Sequence, residues 1–548
     1  MMLPMPISLC YFLLHTCCYY STAYKMALFV PSIVNSQVLF NRRIAQILAD
    51  AGHDVTMIFI NSLNSDSESK YVDVENNIKI YYVNASGGMS KKEFLDMQES
   101  IIFEDLSIWD KRLHEGMARM TTLSRVTCQK MVENKELLKW LTAERFDIAF
   151  SHVVGLCPIG LIYKAQIPTW IWLDSTPLAD YVAYFMGMPI IPSYIPPYIM
   201  EAADRMSFLE RTKSFLGHLL LVPMWKRLLA DRETEIFREQ LDPDFPDLVD
   251  LAKNCPLVMV NSNELYDFPR PTLAKVINIG GVGIQMKKSK PLDSGFQHIY
   301  DRATGVFVFS FGSIAPSHKM PMSWKEAFIG AFKRYPSYHF IWRYVGSDLQ
   351  GKLPPNVHTF KWLPQSDLLQ SNKTISLITH GGYNSVQEAI TAGIPLLVIP
   401  LFGDQPKNAK LAEKHGIAIV LQKSDLSADS IAAAINKVLT DKSYSGKVKR
   451  LSQMLKKKPV SVSQLLVRWT EFVAEFKTLE NLIPAGNKLN FIQYYSLDVI
   501  AFLSLLVLLT ALIVWKLLRF AIAKTFDIMY ALSGIVANRP EQIKVKSE

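Results

Sequence analysis

The side chains best suited to chemistry on a phosphorylated ligand lie between Trp362 and Gln405. There a Gly381-Gly382 pair follows His380 and precedes Tyr383-Asn384-Ser385, with Glu388 beyond. Glycines in such a turn let backbone N–H groups approach a ligand, and a helix starting near Asn384 adds the positive end of its dipole. A phosphate therefore belongs beside residues 380–385, where His380 adds a hydrogen bond or a positive charge. Glu388, one helical turn after Asn384, suits ribose hydroxyls by the logic of acidic residues in dinucleotide sites. Trp362 offers a flat face to a base. Asp404 and Gln405 follow an apolar strand over 396–399, at the end where open α/β sheets bind ligands, and suit sugar hydroxyls. Singly, each has an ordinary reading: a tryptophan is usually core, a Gly-Gly pair usually a turn. Their order and placement together carry the argument.

The scaffold that must hold them is legible as alternating elements. A buried strand over 26–30, an amphipathic helix over 38–51 closed by Gly52, and a strand over 55–60 form a βαβ unit. Further strands are predicted over 146–150 and 169–173. A second series runs through 306–310, a helix at 324–333, then 339–342, 375–379, 396–399 and 418–421. Two such blocks predict an α/β protein of two doubly wound domains facing a cleft. The boundaries read as 24–280 and 281–442, with a linker over 278–290 that contains Gly280-Gly281. Helices over 443–495 then lead to the membrane. The Pro-, Met- and Tyr-rich stretch 186–198 has no period; it lines an apolar pocket or packs as a surface loop.

The motifs over 362–405, with the two α/β blocks, a leader and a C-terminal span, resemble the UDP-glycosyltransferases, particularly the animal UDP-glucuronosyltransferases. The resemblance covers essentially the whole chain. It implies a GT-B-type fold and an inverting transfer from a UDP-sugar, UDP-glucuronate or UDP-glucose, to a small lipophilic acceptor. It implies no metal or other cofactor, the UDP-sugar being a co-substrate. Trp362 would then stack on uracil, and Gln365 and Glu388 would hold the ribose. Ser313, His380, Gly382, Asn384 and Ser385 would surround the diphosphate, with Arg343 near the nucleotide. Asp404 and Gln405 would read the sugar. One departure stands out. The family's catalytic histidine position is occupied by Gln37, which accepts no proton at neutral pH, and the position of its supporting aspartate by His152. Either His152 takes over as base, its ordinary pKa lying near neutrality, or the protein binds UDP-sugar without transferring it and regulates active relatives. Asp242-Pro243-Asp244 resembles a metal-binding DxD but reads as a solvated, Pro-rich turn.

The whole chain constrains these readings. At 548 residues, 49% apolar and 20% charged, it is globular and too long for one core. A net charge of +9 without a dense basic stripe argues against nucleic acid. An apolar run over 7–20 followed by Ser21-Thr22-Ala23 reads as a cleaved leader (1–23), although no basic residue precedes Lys25. The uncharged stretch 499–515 reaches about 25 Å as a helix and predicts one span over 496–518. The basic tail 519–548, ending Lys544-Val545-Lys546-Ser547-Glu548, would be cytoplasmic and resembles an endoplasmic-reticulum return signal. The domains then face the lumen, where the sequons at Asn84 and Asn372 become usable. Outside the leader only Cys128, Cys157 and Cys255 remain, too few for a disulfide framework. Oligomers, with itself or with relatives, are left open. An adhesion ectodomain on a single span is disfavoured by the α/β pattern.

Overall fold

A computed structural model describes residues 23–64, 77–107, 109–284, 291–312 and 315–537. The leader expected over 1–23, apart from Ala23, lies outside these residues, as do Ser313 and the last eleven residues of the tail. The chain divides into a unit ending at Ile483 and a second from Pro484 onward.

The first unit is built on two parallel sheets. Strands β1 (Lys25–Pro31), β2 (Asp54–Asn61), β3 (Ile78–Asn84), β4 (Ile148–His152), β5 (Trp170–Asp174), β6 (Leu257–Val260) and β7 (Val276–Asn278) form one, in the order β3-β2-β1-β4-β5-β6-β7. Strands β8 (Gly305–Ser310), β9 (Tyr338–Arg343), β10 (Val357–Phe360), β11 (Thr374–Thr379), β12 (Leu396–Val398) and β13 (Ala418–Val420) form the other, in the order β10-β9-β8-β11-β12-β13. Both are doubly wound, with the order reversing between β1 and β4 and between β8 and β11. Ligand crevices belong at those switch points. The central strands are buried on both faces, as in Met26–Val30 and Val306–Phe309, because helices cover each side.

The predicted elements fall within a few residues of those observed. The first helix begins earlier than expected, at Asn35. The stretch 186–198 combines both of its readings. Met186 and Met188 pack in the first domain's core, Ile195 packs in the second's, and Tyr198 reaches the cleft between the domains. The helices beyond 443 do more than lead onward. Helix Lys442–Lys456 packs on the second domain, and Val462–Phe476 returns to bury Val462, Leu466 and Val473 beside the first helix. Thr169 donates to the carbonyl of Lys477 (2.5 Å) and fastens that return.

Cysteine spacing did not reveal the disulfide Cys128–Cys157. The long helix Lys111–Glu133 carries Cys128 to the start of helix Cys157–Lys164, a meeting that depends on the tertiary fold. Cys255 is free and buried.

In the second unit, a helix over Leu497–Ala537 includes a stretch, Leu497–Ser533, long and apolar enough to cross a membrane. It runs past residue 518, where the span was expected to end. Its length and composition make it a candidate membrane anchor.

Glu233 provides a test of the first unit. It is buried, and its carboxylate accepts from the backbone N–H of Leu156 at 2.6 Å. Burial pushes its pKa up to about 7, above the ordinary value of about 4.3. Between those values the folded state keeps a proton that the unfolded state has lost, so this group's contribution falls as pH rises from about 4.3 to about 7. Glu233→Gln retains the acceptor and removes the titration. The expected result is a melting temperature that exceeds the parent's at pH 8 and matches it more closely at pH 5, measured by calorimetry.

Candidate active site

The groups expected around a nucleotide gather at the C-terminal ends of β8, β9 and β11. Gly312 follows β8 with φ +72°, and its carbonyl accepts from the guanidinium of Arg343 at the end of β9. The same guanidinium lies 5.2 Å from the centre of the Trp362 ring, a cation–π contact. Trp362 is 65% exposed, unusual for a large ring that already has one partner, and it has surface left for a base.

His380 ends the segment after β11. A Cβ on Gly312 or Gly382 would come within 2.9 or 2.6 Å of its ring, so both positions need glycine to seat the imidazole. Burial, and after it the charge of Arg343, push the His380 pKa down to about 4. At neutral pH the ring is therefore neutral and carries an N–H that can donate. Helix Tyr383–Ala392 starts directly beyond, with Gly382 at its N-cap and no side-chain cap. Its first N–H groups and its dipole are thus available to an anion.

Gln365, at the start of helix Gln365–Gln370, donates to two residues of helix Tyr383–Ala392, Glu388 (2.9 Å) and Ser385 (3.2 Å). Sequence reading expected the first pair to share a ligand and placed Ser385 beside the phosphates; the fold groups all three. It did not foresee Arg43. This residue reaches from the first domain's helix Asn35–Asp50 to Glu388, 3.0 Å away, with both side chains largely buried. A cation in contact and an amide donor fix the orientation of this carboxylate, leaving further lone pairs for hydroxyls. Asn384 likewise accepts from Asn261, which follows β6 of the first domain, at 3.2 Å. The donor-side residues are therefore positioned by both domains.

Asp404 precedes helix Gln405–Lys414 and accepts from Asn408 at 2.7 Å; burial raises its pKa. Gln405 uses its side-chain carbonyl on the N–H groups of Leu401 and Phe402, which leaves its amide nitrogen as the donor for a ligand. Neighbouring Gly403 lines a cleft of about 1180 Å³ between the domains.

Gln37, His152 and Asp174 line the same cleft from the first domain. His152 ends β4, at that sheet's switch point, and also borders an inner, mainly apolar cavity of about 210 Å³. Neither of its ring nitrogens has a hydrogen-bond partner among the described residues, and burial lowers its pKa to about 3. Asp174 was not singled out from the sequence. It ends β5 with three hydrogen bonds, from Thr176 N (3.1 Å), Thr176 Oγ1 (2.7 Å) and Ala179 N (3.0 Å). Burial outweighs these bonds and Asp404 adds repulsion, so its pKa rises to about 6. Asp242, in the DxD-like turn, accepts from the backbone N–H of Asp244 (3.0 Å), as a turn residue does.

A family model described as UDP-glucoronosyl and UDP-glucosyl transferase matches residues 27–530. The chain belongs to the UDP-glycosyltransferase family. Among its relatives, a putative UDP-glucuronosyltransferase of Caenorhabditis elegans, ugt-60, is 32% identical over 502 residues, 88% of this chain and 96% of the relative. Human UDP-glucuronosyltransferase 1A3 is 33% identical over 415 residues, 74% of this chain and 75% of the human protein. Solved structures share the GT-B fold of this UDP-glycosyltransferase. A Polygonum tinctorium UDP-glucosyltransferase capable of glucosylating indoxyl superposes with TM-score 0.56 at 17% identity, covering 83% of this chain and 99% of its own. Phytolacca americana UGT2, complexed with UDP-2fluoro-glucose and pterostilbene, gives 0.55 at 15% identity, with 83% and 99% covered.

Proposed function

We propose that this UDP-glycosyltransferase moves a sugar, glucuronate or glucose, from UDP to the hydroxyl of a small lipophilic acceptor, with inversion and without a metal or other cofactor. The observation that carries the reading is the Gln365–Ser385–Glu388 cluster beside the exposed ring of Trp362 and the uncapped helix start. It presents a base platform, ribose acceptors and anion donors in the order in which a nucleoside diphosphate presents its parts. The apolar cavity behind His152 suits an acceptor, and Asp404 and Gln405 suit the sugar hydroxyls.

In this mechanism the acceptor hydroxyl attacks the anomeric carbon, its proton passes to His152, and UDP departs toward the N–H groups of helix Tyr383–Ala392. The imidazole is a weak base while its site is empty, and a hydrogen bond from the acceptor hydroxyl supplies its missing partner. The test offers UDP-glucuronate and UDP-glucose in parallel to membranes containing the protein, with a panel of phenols and amines. Conjugate formation with one donor preferred is the expected result. Donor bound without any conjugate would contradict transfer.

That outcome defines a second reading, a UDP-sugar-binding protein that regulates active relatives through oligomers. It is favoured by Gln37 and by a His152 that no carboxylate among the described residues orients.

A luminal orientation at the endoplasmic reticulum, with one span and a cytoplasmic tail, completes the proposal. Asn84 and Asn372 are both exposed, as glycan acceptors must be. Endoglycosidase treatment should increase the protein's gel mobility, and Asn84→Gln with Asn372→Gln should abolish that change. An unchanged mobility in the parent would count against the lumen.

A further inference from the structure

The inner cavity of about 210 Å³ beside His152 is mainly apolar, yet a carboxylate lines it. This is Glu233, on helix Asp231–Gln240 and 2% exposed. Its Oε2 accepts from the N–H of Leu156, while Oε1 lies 3.4 Å from Ser124 Oγ, a long hydrogen bond that leaves it lone-pair capacity. A Cβ on Gly155 would come within 2.8 Å of Oε1, so the glycine gives that oxygen its room. Thr127 and His152 line the same cavity, and neither Thr127 Oγ1 nor the His152 ring nitrogens have partners among the described residues. Open buried polar groups of this kind call for a bound polar partner. The disulfide Cys128–Cys157 ties the helix carrying Ser124 and Thr127 to the segment after Gly155, which holds the walls in place before a ligand arrives.

We infer that this cavity is a subsite for a protonated amine on the acceptor, and that Glu233 is the residue that selects it. The inference rests on the proposed function, in which the cavity takes the acceptor. Charge favours an ammonium over a neutral donor. The described lining contains neither Lys nor Arg, and His152, lowered to about 3, is neutral. Burial holds the Glu233 pKa up at about 7, so little stands between its neutral form and a carboxylate that lacks a counter-charge. An ammonium supplies that charge together with N–H donors, and such charge-assisted bonds are the strong ones.

The adjoining cleft, which shares His152 and Val154 with the cavity, has the same sign. Glu104 and Glu201 in its lining are paired with Arg112 and Lys410, but Asp105, Asp174 and Asp180 still outnumber Lys423. A cleft so charged draws in cations and opposes carboxylates. Size narrows the class further. A cavity of about 150 Å³ holds a benzene ring, so about 210 Å³ takes one ring with a short amine arm. The acceptor is then a phenol whose arm meets Glu233 and whose hydroxyl meets His152.

The test titrates three phenols of one shape into the full chain in detergent with UDP present: para-ethylphenol, para-(aminoethyl)phenol and para-(carboxyethyl)phenol. At neutral pH the amine is expected to bind at least tenfold more tightly than the ethyl compound, and the carboxylate more weakly than either. At about pH 6, where Glu233 is largely protonated, pairing with the ammonium ionises it. The amine should therefore release close to one proton on binding and para-ethylphenol none, as read from calorimetry in buffers of different ionisation enthalpy. Glu233→Gln keeps an acceptor for the Leu156 N–H and should abolish both the preference and the release, with unchanged UDP binding showing that it is folded. Gly155→Ala, which crowds Oε1 without removing the charge, should reduce the preference as well. The inference is overturned if the parent does not prefer the amine, if no proton is released, or if both signals survive Glu233→Gln, which would assign the ammonium to Asp174. An amine bound with this signature but never conjugated would fault the proposed function and leave the subsite intact.

Discussion

Glu388→Gln is expected to weaken UDP binding by about ten- to a hundredfold, the loss of roughly 1.5–3 kcal/mol that accompanies removal of a charged hydrogen-bond acceptor. The substitution preserves shape and keeps an amide oxygen, so it asks only what the charge contributes. Two effects act together. The ribose hydroxyls lose an ionised acceptor, and Arg43, largely buried against Glu388 at 3.0 Å, loses its counter-ion. Titration calorimetry separates them, because Arg43→Ala removes the second contact alone and should cost less. UDP affinity unchanged in Glu388→Gln would remove this residue from the donor site.

His152→Ala is expected to lower kcat by about a hundredfold or more with little change in acceptor KM, the pattern of a lost general base. A residue that merely lined the cleft would change KM instead. The pH profile adds an independent check. Since burial holds the His152 pKa down to about 3, it is neutral throughout the useful range and produces no acid limb above pH 5. A fall in kcat/KM below pH 6 would come from a buried carboxyl, Asp174, raised to about 6, or Glu233, raised to about 7, and should persist in whatever activity His152→Ala retains. Gln37→His offers the converse: if the vacant position limits the rate, restoring an imidazole there should raise kcat.

Much of the fold was legible because α/β alternation is a local signal. The predicted strand over 375–379, the Gly-Gly turn and the helix near Asn384 correspond to β11, Gly381-Gly382 and helix Tyr383–Ala392, each set by residues close in sequence. The residues proposed for the donor on that helix could be placed on it for the same reason. What escaped depends on distant chain. Arg43 and Glu388 are 345 residues apart, and no period in either helix announces their pairing. Asn261 meets Asn384 by the same route, across the two domains. Cys128 and Cys157 pair because the long helix Lys111–Glu133 brings Cys128 to the start of helix Cys157–Lys164. Asp174 ends a strand of otherwise apolar residues and acquires its raised pKa only from the burial that tertiary packing imposes.

The most direct measurement of the central claim is a calorimetric titration of UDP into the full chain in detergent. The account predicts one saturable site per chain, lost or much weakened when Trp362 is replaced by alanine, with ADP binding far less tightly than UDP. No heat of binding, or equal affinity for UDP and ADP that is indifferent to Trp362, would contradict it.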